Sequence, residues 1–139
     1  MIKKSKVVLL PCAEYDEEKI YVLLKKGLSL LGGIESLVPM DKKILLKPNL
    51  LKKAEVEKAV ITHPVVVGAF ARILREKGYE NIVLADSCGH GTTKSVIRGT
   101  GMDTYLEKYQ IPAIDYTEGI KVDYPQGIQA KEFILPKEL

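Results

Sequence analysis

Asn81-Ile-Val-Leu-Ala85-Asp86-Ser-Cys-Gly-His-Gly91-Thr-Thr93 is the stretch that decides how the chain is read. Four apolar residues, two of them β-branched, end on a carboxylate. A glycine-rich turn follows, and then residues suited to start a helix. Unbroken apolarity over so short a run predicts a strand covered on both faces. A strand passing through a tight turn into a helix is the repeating unit of a parallel sheet.

The same unit recurs outward from this point. Ile44-Leu-Leu46 predicts a second buried strand, fenced by Lys42–Lys43 before it and Lys47–Pro48 after it. Between the two strands, Pro64 fits the first position of a helix, where its missing N–H costs nothing. Val67, Phe70, Ala71 and Leu74 form that helix's apolar face, and Lys77–Gly78 ends it. Further upstream, Lys6-Val-Val-Leu-Leu10 predicts a strand ending at Pro11. Asp16 caps a helix with the stripe Ile20, Leu23, Leu24, Gly27, Leu28 and Leu31, stopped by Gly32–Gly33. Downstream, a helix from about Thr92 is broken near Gly99–Gly101, residues 111–116 predict a strand, and Phe133-Ile-Leu135 opens another. The order predicts an α/β fold with a mostly parallel, doubly wound, Rossmann-like sheet and flanking helices. Residues 1–139 are read as a single α/β domain.

Composition narrows the function classes. Hydrophobic residues make up 46% and charged residues 28%, an ordinary globular balance. A net charge of +3 with 6% aromatic residues lacks the concentrated basic face and stacking platform of a nucleic-acid binder. No apolar run reaches the roughly 20 residues needed to cross a bilayer, and the run after Lys6 is too short for a signal peptide. Cys12 and Cys88 make neither a disulfide framework nor a zinc site, so the expected compartment is a reducing cytoplasm.

In a doubly wound sheet, ligands bind outside the carboxyl ends of the strands. Three polar segments are predicted to share that edge. Lys47-Pro48-Asn49 follows the first buried strand, and the proline holds Lys47 extended. Thr62-His63-Pro64 starts a helix, where exposed N–H groups favour an anion. Asp86-Ser87-Cys88-Gly89-His90-Gly91-Thr92-Thr93 closes the second strand with a glycine turn and a helix start, which let backbone donors approach an anion. Each has a plainer reading: a lysine lying along a strand end, a histidine cap, a tight strand-to-helix turn. Neither the full dinucleotide-binding glycine pattern nor the phosphate loop ending in Gly-Lys-Ser/Thr is present. Asp86, Cys88, His90 and His63 have no established metal-ligand spacing, so no metal site is assigned. The ligand-binding candidates are Lys47, Asn49, Thr62, His63, Asp86, Ser87, Gly89, His90 and Gly91. Those able to serve in catalysis are His63 as proton carrier, Lys47 as cation and Asp86 as orienting carboxylate. No reaction is fixed by these residues. A catalytic domain, a non-catalytic binding module and a structural or protein-interaction half-domain all remain open.

Lys47-Pro48-Asn49-Leu50, Thr62-His63-Pro64, Ala85-Asp86-Ser87 with Gly89 and Gly91, and Thr100-Gly101 together resemble domain-of-unknown-function family 362, in its amino-terminal portion. The resemblance implies an incomplete part of a larger domain, with a missing second half or an association of copies. It also implies a link to iron–sulfur, ferredoxin-like segments that would lie beyond this chain. Two cysteines cannot supply the four thiolates of such a cluster, so no cofactor is assigned to the chain itself. The expected partner is a small anionic ligand, with neither nucleic acid nor membrane.

Overall fold

A computed structural model of the protein describes residues 5–138. It is a mixed α/β structure. Helix α1 (Glu17–Leu30) starts where Asp16 accepts the Lys19 N–H at 2.9 Å, with Glu17 and Glu18 favourably placed in its first turn. Its Ile20, Leu24 and Leu28 pack on Ala69 and Ile73 of helix α2 (Pro64–Glu76). The opposite face of α2, through Val67, Ala71 and Leu74, covers strands β1 (Ile44–Leu46) and β2 (Ile82–Leu84). These strands run parallel, with Ile44 beside Ile82 and Leu46 beside Leu84. Helices α3 (Thr93–Ile97) and α4 (Met102–Lys108) close the core with Val96, Ile97, Met102 and Leu106.

The break between α3 and α4 falls where the sequence predicts it, because Gly99 and Gly101 both adopt positive φ. Other expectations shift. Residues 111–116 pair with β2 only through a parallel bridge at Ala113, flanked by the bonds Leu84 N–H to Pro112 O and Ile114 N–H to Leu84 O. Lys6–Leu10 is not a strand here, and its backbone finds no hydrogen-bond partner among the described residues. A strand exists only through its neighbour, and Val8 and Leu10 instead lie over Gly27 of α1. Phe133–Leu135 does fall in a strand, β4 (Glu132–Pro136), but its partner is antiparallel β3 (Gly119–Asp123), which the periodicity does not reveal. Two two-stranded sheets thus stand where the sequence predicts one doubly wound sheet. The hairpin leaves Ile120, Phe133 and Leu135 of one face partly exposed and Ile134 of the other more so.

One close contact sets the spacing of α2 and α4. Gly68 faces the Tyr105 ring so tightly that an added Cβ would lie 2.2 Å from Cδ1.

Candidate functional site

Parallel pairing puts the ends of β1 and β2 side by side, so the residues leaving them meet. The Lys47 ammonium donates to Asp86 Oδ1 at 2.5 Å, and the Leu50 N–H donates to Asp86 Oδ2 at 2.7 Å. One carboxylate therefore holds both the side chain and the backbone of the segment leaving β1. Asp86 is itself pinned from behind: its N–H donates to Thr93 Oγ1, whose hydroxyl donates back to the Asp86 carbonyl, both at 3.1 Å. The Asp86 side chain is 5% exposed, whereas that of Lys47 is 59% exposed. The pair is thus a buried anchor carrying a solvent-facing cation.

Electrostatics follow this asymmetry. Burial pushes the Asp86 carboxyl up, but the Lys47 ammonium and the N–H groups of Leu50 and Ser87 outweigh it and hold the group below the usual carboxylate range. The hydrogen bond to Asp86, and then its charge, raise Lys47 above an ordinary lysine. Burial raises the Tyr116 phenol, and the charges of Lys47 and Asp86 both reach it. Burial and the nearby Asp86 charge also raise the Cys88 thiol, which disfavours its thiolate.

The second predicted segment is tied to the first. Asn49 and Thr62 exchange bonds, Asn49 N–H to Thr62 Oγ1 at 2.8 Å and Thr62 N–H to Asn49 O at 2.9 Å. The Asn49 amide donates to Val60 O, and an antiparallel bridge joins Leu50 to Ile61. These bonds fold the 50–61 connection back onto the strand end. His63 caps α2 by accepting the Val65 N–H at Nδ1, 3.3 Å away, and its ring stacks on Tyr15 at 3.8 Å. Burial lowers its pKa below 6.5, against the charge of Glu57. Since the folded protein binds this proton more weakly than the unfolded chain, the stability His63 contributes is complete above about pH 6.5. It is lost as pH falls through the lowered folded pKa. We expect a loss of stability on acidification from about pH 7 to 5 that His63→Asn largely removes, read from urea midpoints at each pH. An unchanged acid slope in the variant would put the titration elsewhere.

The third segment also joins the same hub. The His90 N–H donates to Leu51 O at 3.0 Å, and Gly89 lies where a Cβ would meet Leu51 Cδ1 at 2.8 Å. Gly91 has φ +90°. The side chains of Ser87 and His90 are exposed at the rim. Lys47, Asn49, Thr62, Asp86, Gly89 and the His90 backbone are therefore brought together. The His63 imidazole is instead engaged by its own helix and Tyr15. Sequence reading assigned no role to Leu50 or Thr93 and did not mark Tyr15 or Asp115, whose carboxylate accepts the Lys94 N–H at 2.9 Å. Thr93 carried the faint signal of a doubled threonine at a helix start; a backbone N–H and a residue across the sheet carry none.

A mainly apolar cavity lies elsewhere. It measures about 520 Å³ and is lined by Val8, Leu10, Leu24, Leu28, Phe70 and the stacked Tyr15 among others, without Lys47, Asp86 or the 87–91 loop. Among the described residues, no group of three His, Cys, Asp or Glu side chains is placed to hold a metal ion. Two cysteines, one at each of Cys12 and Cys88, do not fit the thiolate set of an iron–sulfur cluster. Among the described residues no helix is long and apolar enough to cross a membrane.

A family model described as Domain of unknown function (DUF362) matches residues 44–139, which include every member of the Lys47–Asp86 hub. Thylakoid-associated protein sll1697 of Synechocystis sp. is 31% identical over 113 residues, a match covering 81% of this chain and 35% of that protein. The chain thus spans about a third of the length of the curated relative it matches. No solved structure matches the chain.

Proposed function

This chain belongs to the DUF362 family, and we propose that it binds a small anionic ligand at the strand edge, with Lys47 as the contacting cation. The supporting observation is the asymmetry of the ion pair. A buried carboxylate that also holds the Leu50 N–H fixes an ammonium whose remaining donors face solvent. An exposed lysine without such an anchor would lose side-chain entropy on binding, and here much of that ordering is already done. Asp86 is a positioning residue in this reading, and Asn49 and Thr62 brace the strand end. The short β1–β2 ladder, with its bridge at Ala113, is compatible with the core of a larger, doubly wound sheet. We place the chain as the amino-terminal part of a longer architecture, in keeping with its share of the relative's length. The cysteine usage favours a reducing compartment, and the relative's thylakoid association suggests that a membrane surface is nearby.

A structural reading is favoured by one observation, that the polar groups of this hub largely satisfy one another. Binding separates the two. Chemical shifts of labelled protein titrated with small anions are expected to move around Lys47 and Asp86 and to saturate. Lys47→Met should weaken that binding at least 10-fold, about 1.4 kcal/mol. Shifts that neither saturate nor depend on Lys47 would leave the hub a structural device.

A further inference from the structure

Four donors of the glycine turn and the helix after it are held within the protein itself. The His90 N–H is held by Leu51 O, and the Thr92 N–H by Ser95 Oγ at 2.8 Å. The Ser95 N–H returns to Thr92 Oγ1. The Lys94 N–H, in the first turn of α3, donates to the Asp115 carboxylate at 2.9 Å. The place where a strand–turn–helix unit would receive a phosphate already holds a carboxylate of the protein's own. Asp115 would also repel a second anion set beside it.

The cation this edge offers a ligand is Lys47, and its charge is balanced by Asp86. A net-neutral pair acts on an incoming anion as a dipole, attracting it through the nearer cation and repelling it through the carboxylate behind. That attraction grows in proportion to the ligand's charge, whereas the cost of removing its hydration grows as the square of that charge. Such a pair can compensate a single charge far better than two. Phosphate sites instead gather Arg forks or several free backbone donors.

Resting on the anion-binding reading above, we infer that the ligand of the Lys47–Asp86 edge is a monoanionic carboxylate rather than a phosphate ester or polyphosphate. The carboxylate accepts the outward N–H groups of Lys47 while Asp86 keeps the ammonium in place. Asp115 closes the phosphate position and so sets the preference.

The inference is tested by titrating ¹⁵N-labelled protein with acetate and pyruvate in one series and with inorganic phosphate and pyrophosphate in another. Ionic strength is matched, and the pH is kept where phosphate is mainly dianionic. Shifts of the Leu50, Asp86 and Ser87 amides and of the Lys47 side-chain nitrogen are followed, so wild-type protein alone gives the answer. The expected result is saturable binding of a carboxylate at least 10-fold tighter than that of either phosphate. Asp115→Asn should narrow this gap. Tighter phosphate or pyrophosphate binding at the same amides would overturn the inference and leave anion binding standing. If neither series moves these signals, the anion-binding reading fails, and this inference with it.

Discussion

Asp86→Ala is expected to lower the unfolding free energy by about 3 kcal/mol, the larger of the two strongest effects we anticipate. Two losses add. A charge-assisted hydrogen bond contributes roughly 1.5–3 kcal/mol, and a buried N–H left without an acceptor costs about 1–3 kcal/mol. Leu50, whose N–H would be orphaned, is fully buried. The Lys47 part is discounted, since its half-exposed ammonium returns to water. Asp86→Asn keeps an acceptor for Leu50 and should cost about half as much. Urea unfolding checks this: the midpoint falls while the slope with denaturant stays constant. A loss below about 1 kcal/mol for the alanine variant would show that the hub is not an anchor.

The same residue predicts an acid limb. The folded Asp86 carboxyl lies below its ordinary value, so the unfolded chain takes up this proton more readily. Its stabilisation is therefore complete above the ordinary carboxylate range and disappears as pH falls through the lowered folded value. Below about pH 4 the wild-type and Asp86→Asn unfolding curves should converge.

Gly68→Ala is expected to cost about 2 kcal/mol, within the usual range for overpacking a filled core. The added methyl would meet Tyr105 Cδ1 at 2.2 Å and Cε1 and Cγ at 2.6 Å, so the ring or α4 must move. Helix propensity acts in the other direction, since alanine in a helix is favoured over glycine by about 1 kcal/mol. Coupling between the two sites distinguishes the effects. Against a Tyr105→Ala background, Gly68→Ala should become neutral or stabilising, a coupling of about 2 kcal/mol in a double-mutant cycle. An additive cycle would mean that Gly68 is not held by this ring. Because α4 follows α3, which follows the Asp86 turn, such a shift is also expected to loosen the site.

The sequence alone determined the local elements. Apolar runs at Ile44–Leu46 and Ile82–Leu84, the Asp16 cap, Pro64 at its helix start and the glycine break at 99–101 are each set by side-chain chemistry within a few residues. It also marked Lys47 and Asp86, because a parallel pair brings consecutive strand ends to one edge. What only the tertiary structure decided was who bonds to whom. Lys6–Leu10 has strand composition, yet a strand requires a partner's backbone, and none is found among the described residues. The Gly89–Gly91 turn has the composition of an anion cradle, but Leu51 and Asp115, 39 and 21 residues from their bonding partners His90 and Lys94, engage donors of the turn and the helix that follows. Hydrogen bonds saturate, so whether a polar group is offered to a ligand depends on neighbours that the local sequence does not contain.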